Sequence, residues 1–363
     1  MPAPSIRFAT SPDGVRLAYA AEGQGPTVVK AANWLSHIEF DADSPVWRHW
    51  LRDWSASHRL VRYDERGCGL SDRAPRDLSF ESWVTDLETV VDALALPRFT
   101  LLGVSQGGAV ALAYAARHPE RVSQLVLYGA YARGRLVRDR SAAAREEAAL
   151  MQQLVRLGWG RENEAFRALF TAQFIPGGTS EQLRWFNELQ RRSATPDDAC
   201  RFLDEFSRLD VTALAPQVRC PTLVLHARED QRVPFDEGRL LAGLIPNARF
   251  VPLESRNHVL LDEPAWAAFM VAVRDFLAPP AAADEPVAVS PLDEPLTPRE
   301  REVLDLVARG VDNAGIAEAL HLSGKTVRNH VSHLYDKLHV ASRAAAVVRA
   351  RECGFGRLGQ RAG

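Results

Sequence analysis

Apolar residues recur along the chain in two periods, and the order of those periods predicts the architecture. Short alternating runs at 6–10 and 15–20 flank Ser11-Pro12-Asp13-Gly14, and Asp-Gly between such runs predicts a hairpin. Compact apolar runs follow at 27–32, 59–63, 99–104, 122–128, 222–226 and 249–253, each of strand length. Between them the spacing changes. Residues 79–96 place Phe80, Trp83, Val84, Leu87, Val90, Val91 and Leu94 on one helical face. Another helix is predicted over 107–118. Strands alternating with helices of this length predict an α/β fold with a doubly wound, mostly parallel sheet.

Two stretches break the alternation. Residues 132–215 are rich in Arg, Glu and Ala and hold no strand pattern. Trp159, Phe170, Phe174, Phe202 and Phe206 fall there, so a helical cap over the sheet's C-terminal edge is expected. Residues 279–296 are dominated by Pro and Ala without periodicity, as in a linker between 1–278 and 297–363. Helical spacing then returns. Thr297 reads as an N-cap, with Pro298 at the first helical position and Glu300 closing a capping box. This helix runs to Gly310, a second covers 313–320, and a turn at 321–324 leads into a third over 325–338. The third helix buries Val327, Val331, Leu334 and Leu338, and a fourth covers 343–351. A small all-α domain is predicted at the C-terminus.

Composition narrows the class. A length of 363 residues exceeds one ordinary core, which agrees with two domains. Hydrophobic residues at 46% and charged residues at 25% exclude a disordered chain. Cys68, Cys200, Cys220 and Cys353 are scattered without a C-x-x-C pair, so no disulfide framework or zinc site is expected. No apolar leader and no membrane-length apolar run is present, so a cytoplasmic location without membrane contact is expected. The net charge of −2 hides an asymmetry: from Thr297 onward 11 Lys/Arg stand against 7 Asp/Glu, and the remainder carries 33 against 39. A basic appendage on an acidic body fits a nucleic-acid partner for the C-terminal part.

The first candidate chemistry lies at Gly103-Val104-Ser105-Gln106-Gly107. A serine nucleophile needs a tight strand-to-helix turn that exposes its Oγ, with small residues on either side so that strand and helix can approach. Here the motif follows a predicted strand and opens a predicted helix. An acid and then a histidine should come later in the chain. Asp230 ends the strand at 222–226 in an acidic turn, with Glu229 as the other choice, and His258 follows the last strand. His226 lies within a strand and His118 ends a helix, which gives both structural roles. Gly67-Cys68-Gly69 does not open a dinucleotide-binding motif, and the sequence implies no cofactor and no metal.

Residues 5–277 resemble the α/β-hydrolase superfamily. The elbow carries the likeness, with Asp64-x-Arg66-Gly67-x-Gly69-x-Ser71 and Asp230-Gln231-Arg232-Val233-Pro234. The resemblance implies that Ser105 is the nucleophile, His258 takes its proton and Asp230 orients the imidazole. One departure stands out. Where the family carries His-Gly-aromatic after its third strand, this chain has Ala32-Asn33-Trp34. Asn33 tolerates a left-handed backbone and is expected to replace the glycine. The Trp34 N–H would then join the Gln106 N–H in an oxyanion hole. Without the usual histidine, slow catalysis is expected.

Residues 296–352 resemble LuxR-type helix-turn-helix domains, through the run Leu296 to Leu304, Ile316-Ala317 and Lys325-Thr326-Val327-x-x-His330-Val331. Ala314-Gly315 depart from the family's Lys-Glu. The resemblance places the third helix in the DNA major groove, with Lys325, Arg328 and Asn329 at base edges or phosphates and Thr326 and His330 near phosphates. So small a reader implies a homodimer on two half-sites.

Joined, the halves suggest a ligand-responsive transcriptional regulator. Its hydrolase half binds, and slowly hydrolyses, a small ester, lactone or related carbonyl compound. The alternative is a metabolic serine hydrolase tethered to a DNA-binding module. A constitutive regulator with an inert hydrolase fold is a third reading, against which the complete Ser105, Asp230 and His258 set argues.

Overall fold

The computed structural model describes residues 4–162, 165–278, 296–338, 340, 343–352 and 355. The linker expected over 279–296 lies outside them, save for Leu296. The chain divides into two compact units, Met1–Leu277 and Ala278–Gly363.

The first unit is built on eight strands, β1 (Arg7–Thr10), β2 (Arg16–Glu22), β3 (Thr27–Lys30), β4 (Arg59–Tyr63), β5 (Phe99–Val104), β6 (Val122–Tyr128), β7 (Thr222–Ala227) and β8 (Ala248–Leu253). They form one sheet in the order β1-β2-β4-β3-β5-β6-β7-β8. The β1–β2 and β2–β4 pairs are antiparallel, and the remaining pairs are parallel. Every residue of β5 and β7 is buried, so both sheet faces are covered, as a parallel sheet requires.

The helices of this unit are α1 (Ile38–Asp41), α2 (Arg48–Ser55), α3 (Phe80–Ala93), α4 (Gly107–Arg117), α5 (Arg135–Arg138), α6 (Ala142–Gly158), α7 (Ala165–Phe174), α8 (Ser180–Ser193), α9 (Pro196–Arg208), α10 (Phe235–Leu244) and α11 (Glu263–Leu277). Trp50 of α2 packs on Trp266 and Phe269 of α11, with ring centroids 4.7 and 5.0 Å apart. Helices α5 to α9 fill the span between β6 and β7. Across it runs only an isolated bridge, Arg133 to Asp210, among the described residues. Ser141, Thr179 and Thr195 cap α6, α8 and α9 through side-chain acceptors, which fixes where each begins.

The loop after β4 is held by buried charge. Arg66 is 1% exposed and is clamped by Asp86 at 2.6 Å and Asp13 at 2.7 Å. Asp64 accepts the Ile38 and Leu70 amides at 2.9 and 2.8 Å. A Cβ on Gly69 would fall 2.2 Å from Asp64 Oδ2, so this glycine is sterically required. The motif that carried the family likeness therefore braces the loop beside the site. Among the described residues no helix is long and apolar enough to cross a membrane.

The second unit has its own core. Helices α12 (Pro298–Ala308), α13 (Asn313–Ala319), α14 (Gly324–Leu338) and α15 (Arg343–Glu352) enclose Val303, Leu304, Val307, Ile316, Val327 and Leu334. The capping box read from sequence is formed: Thr297 Oγ1 accepts the Glu300 amide at 3.2 Å, and Glu300 Oε2 accepts the Thr297 amide at 2.8 Å. Lys337 also reaches Glu300, at 2.9 Å. Burial pushes the Glu300 carboxyl up, but the Thr297 amide, Lys337 and the Thr297 hydroxyl outweigh it and hold it at about 2. Its usual value is 4.5, so its stabilisation is complete above that pH and is lost as the pH falls towards 2. Glu300→Gln is expected to flatten the acid limb of this unit's melting transition, read by calorimetry of the full chain between pH 6 and pH 3 (roughly the span of a carboxyl titration). An unchanged limb would remove Glu300 from that role.

Candidate functional site

The sharp turn from β5 into α4 puts Ser105 in a left-handed conformation, φ 53°, a strained position for a residue with a Cβ. Glycines make the turn possible. A Cβ on Gly103 would lie 2.6 Å from Gly108 Cα, and one on Gly107 would lie 2.5 Å from the Ala32 carbonyl. A Cβ on Gly108 would meet Ala130 at 2.3 Å. Strand, helix and the loop after β3 thus approach more closely than other residues allow.

Asp230 and His258 come together from the ends of β7 and β8. His258 Nδ1 lies 2.7 Å from Asp230 Oδ2, and both side chains are buried. The other carboxylate oxygen, Oδ1, accepts the Arg232 and Val233 amides at 2.8 and 2.9 Å. Burial raises the Asp230 carboxyl, but His258, His226 and the Val233 amide together bring it below its ordinary value. The ionised form therefore faces the imidazole. Glu229, the other acid weighed from sequence, is exposed. The His258 amide donates to the Phe174 carbonyl at 2.8 Å, so α7 helps seat the histidine loop. His258 Nε2 is buried with no hydrogen-bond partner. An imidazole held by a carboxylate at one nitrogen can take a hydroxyl proton at the other.

Both ends of this arrangement converge on the C-terminal end of β6. The Ser105 amide donates to the Tyr128 carbonyl at 2.9 Å. At the next residue, Gly129, a Cβ would lie 3.0 Å from His258 Cε1. His226 is fully buried, and its Nε2 lies 3.0 Å from the Val233 carbonyl; it supports the Asp230 turn. A cavity of about 710 Å³ is lined by Trp34, Ser105, Gln106, Phe174 and Asp230, with further walls from α5, α6 and α9. That volume suits a small organic ligand.

The loop after β3 departs from the sequence expectation. Asn33 does not adopt the left-handed backbone. Its side chain is engaged instead, accepting from Lys30 and donating to the Trp34 carbonyl at 3.2 Å. The Trp34 amide already has an acceptor, Gln106 Oε1 at 3.0 Å. Gln106 Nε2 in turn donates to Glu65 Oε1 at 2.6 Å. Burial pushes the Glu65 carboxyl up to about 8, so near neutral pH it is mostly protonated. Sequence reading counted Gln106 for its backbone only. Glu65 lies 41 positions away, and nothing in the spacing announces that pair. The Trp34 ring stacks on Trp159 of the segment after α6, with centroids 5.2 Å apart and planes 4° apart.

Among the described residues no group of three His, Cys, Asp or Glu is placed to hold a metal ion.

In the second unit, α14 exposes Lys325, Arg328 and Asn329 on the side away from Val327 and Val331. Thr326 and His330 are half-buried. Thr326 belongs to the helix start: its amide donates to Ser323 Oγ at 3.1 Å, and the two hydroxyls lie 2.8 Å apart. Arg343 of α15 ties to Asn313 at 2.9 Å and to the Val311 carbonyl, which fixes α13 against α15. Gly315 also has a reason: a Cβ there would fall 2.8 Å from Val311 Cγ1.

Comparison with known proteins follows these two units. The description "alpha/beta hydrolase fold" matches residues 40–265, and "Bacterial regulatory proteins, luxR family" matches 294–350. A 2-hydroxymuconate semialdehyde hydrolase from Pseudomonas sp. (strain CF600) is 31% identical, across 72% of this chain and 86% of its own. A pyrrolizixenacetamide deacetylase from Xenorhabdus hominickii is 22% identical, across 72% and 94%. The crystal structure of the enol-lactonase from Burkholderia xenovorans LB400 superposes with a TM-score of 0.60 at 23% identity, covering 75% of this chain and all of that one. The chain belongs to the α/β-hydrolase fold family and carries a C-terminal helix-turn-helix domain of the LuxR family.

Proposed function

We propose that the protein is a ligand-responsive transcriptional regulator whose hydrolase domain binds, and slowly hydrolyses, a small carbonyl compound. The observation that carries this is the buried Asp230–His258 pair together with an elbow serine that lines a ligand-sized cavity, in one chain with a LuxR-type domain. Ser105 Oγ attacks the substrate carbonyl and its proton passes to His258 Nε2. The imidazolium, held by Asp230, returns that proton to the leaving alkoxide. Water then releases the acyl group from Ser105 by the same proton route. The Gln106 and Trp34 amides are the oxyanion donors. The second of these is occupied by the Gln106 side chain at rest, which supports slow turnover. Names among the relatives, a semialdehyde hydrolase and a deacetylase, support a small carbonyl or acyl compound as ligand.

Ligand occupancy changes DNA affinity only to the extent that the ligand binds the two DNA-binding states differently. A coupling of about 1–3 kcal/mol corresponds to roughly 5–150-fold in DNA affinity. The experiment is titration of the protein onto its own promoter DNA, with and without a panel of esters and lactones, for wild type and Ser105→Ala. A compound that shifts DNA affinity establishes sensing, and the mutant shows whether hydrolysis takes part. Rapid ester turnover with no effect on DNA would favour a metabolic hydrolase.

The exposed face of α14 is proposed to enter the major groove, as a dimer on half-sites about 34–36 Å apart. Arg328→Ala is expected to cost about 1–3 kcal/mol at specific sites if the guanidinium reads a base. Equal weakening on all sequences, measured by competition binding, would assign it to a phosphate.

A further inference from the structure

Five arginines and four carboxylates line the cavity, and one of those carboxylates, Asp230, is committed to His258. Arg232, two residues beyond Asp230, is half-buried on that wall. Its Nη1 donates to a neutral acceptor, Gln173 Oε1, at 2.9 Å. Its guanidinium carbon lies 5.3 and 5.1 Å from the ring centres of Phe170 and Phe174. Among the described residues no carboxylate pairs with it. Asp230, the nearest acid in sequence, is committed to His258 and two backbone amides. Arg138 lines the same cavity. It sits over Tyr131 at 5.7 Å and donates to the Arg133 carbonyl at 2.9 Å, again without a carboxylate. Arg135, three residues before Arg138, is balanced by Glu147 at 2.9 Å. Burial lowers the pKa of Arg232 and of Arg138; Arg135 adds like-charge repulsion to both, and at Arg138 Glu237, itself paired with Arg133, offsets part of it.

Guanidinium groups without a carboxylate partner in one partly desolvated wall are unfavourable unless an anion joins them. Aromatic faces and neutral oxygens offset part of that cost and leave further N–H donors unused. Those planar donors match the two oxygens of a carboxylate. The same cavity presents Ser105, so one ligand can reach both groups.

We infer that the ligand of this cavity is an anionic acyl compound, its carboxylate held by Arg232 and Arg138 and its reacting carbonyl at Ser105. This rests on the hydrolase-site reading above and adds the substrate's charge to it. The Arg232 side chain acts in binding and specificity, and it leaves the proton transfers to His258.

The test compares monoethyl glutarate with diethyl glutarate, which differ by one charge at the end remote from the reacting ester. Wild type is expected to favour the half-ester in kcat/KM by about tenfold or more, since charge-assisted hydrogen bonds are roughly twice as strong as neutral ones. Arg232→Gln and, separately, Arg138→Gln should each lower that ratio, and Arg232→Lys should restore part of it. Each variant is read against its own diester rate, so a general loss of folded protein cancels. A ratio near one in wild type, or one that no variant changes, overturns the inference. Diester hydrolysis that Ser105→Ala abolishes, with no preference for the half-ester, would leave the site reading standing and remove the anion. Should neither ester be turned over, calorimetric binding to Ser105→Ala decides. Half-ester binding that is lost when Arg232→Gln is added supports the inference, and absent or equal binding of the two esters overturns it.

Discussion

Asp230→Asn is expected to lower kcat for any ester the protein hydrolyses by about 10⁴ without unfolding the domain. The geometry dictates the sign. Asp230 Oδ1 accepts two backbone amides, from Arg232 and Val233, so an asparagine must turn its only carbonyl oxygen towards them. Its NH₂ group then faces His258 Nδ1, where Oδ2 now accepts at 2.7 Å. Facing a donor, Nδ1 becomes the unprotonated nitrogen, and Nε2 carries the hydrogen. Such an imidazole cannot take the Ser105 proton. The backbone bonds that shape the turn survive, which is why the fold should persist. Ligand binding to the variant should stay measurable while turnover falls. A rate within tenfold of wild type would mean that His258 and Asp230 are not the base and its partner.

How much of this was open to sequence reading depended on the range of the interaction. Strands β4, β5 and β6 coincide with their apolar runs because each is a short hydrophobic segment bounded by turn residues. The Thr297 capping box was legible for the same reason: its members lie three positions apart, and the motif is local. Helix α2 is weakly announced, although Trp47, Trp50, Leu51 and Trp54 fall at helical spacing; a run of eight residues gives little more than two turns of signal. The elbow could be found because steric demand at Gly103, Gly107 and Gly108 leaves a fixed pattern around Ser105. Asn33 departs from the expected glycine-like role. Asparagine's tolerance of left-handed backbone is permissive, and the bonds to Lys30 and the Trp34 carbonyl use its side chain in another conformation. The chain from Glu65 through Gln106 to Trp34 was invisible, because long-range polar pairing leaves no period in the sequence.

That chain leads to an expected gain. Gln106→Ala should raise kcat by about 10- to 100-fold, somewhat less than the 10²–10³ that a single oxyanion donor contributes. In the oxyanion hole proposed above, a developing oxyanion would have to displace Gln106 Oε1 from the Trp34 amide, exchanging one hydrogen bond for another. Gln106 resists displacement because Glu65 holds its amide nitrogen at 2.6 Å. Removing the side chain opens the donor before the substrate arrives, and the backbone amide of residue 106 is kept. The cost falls on stability: Glu65 loses its Gln106 partner, a loss of about 1–3 kcal/mol for a buried polar group. The pH profile separates this mechanism from a loosened pocket. As the pH rises through about 8, Glu65 ionises and its bond to Gln106 becomes charge-assisted. Wild type should then slow relative to Gln106→Ala, and the ratio of the two rates should grow with pH. A ratio that is flat from pH 6 to pH 9 (a span of about three units centred near that titration) would sink the gating role of Gln106. A variant no faster than wild type would remove Trp34 from the oxyanion hole. On the sensing role proposed above, slow turnover would have a purpose. A ligand that is hydrolysed slowly occupies the cavity long enough to alter DNA binding, so Gln106→Ala should also shorten or abolish the DNA response to any ligand it hydrolyses faster.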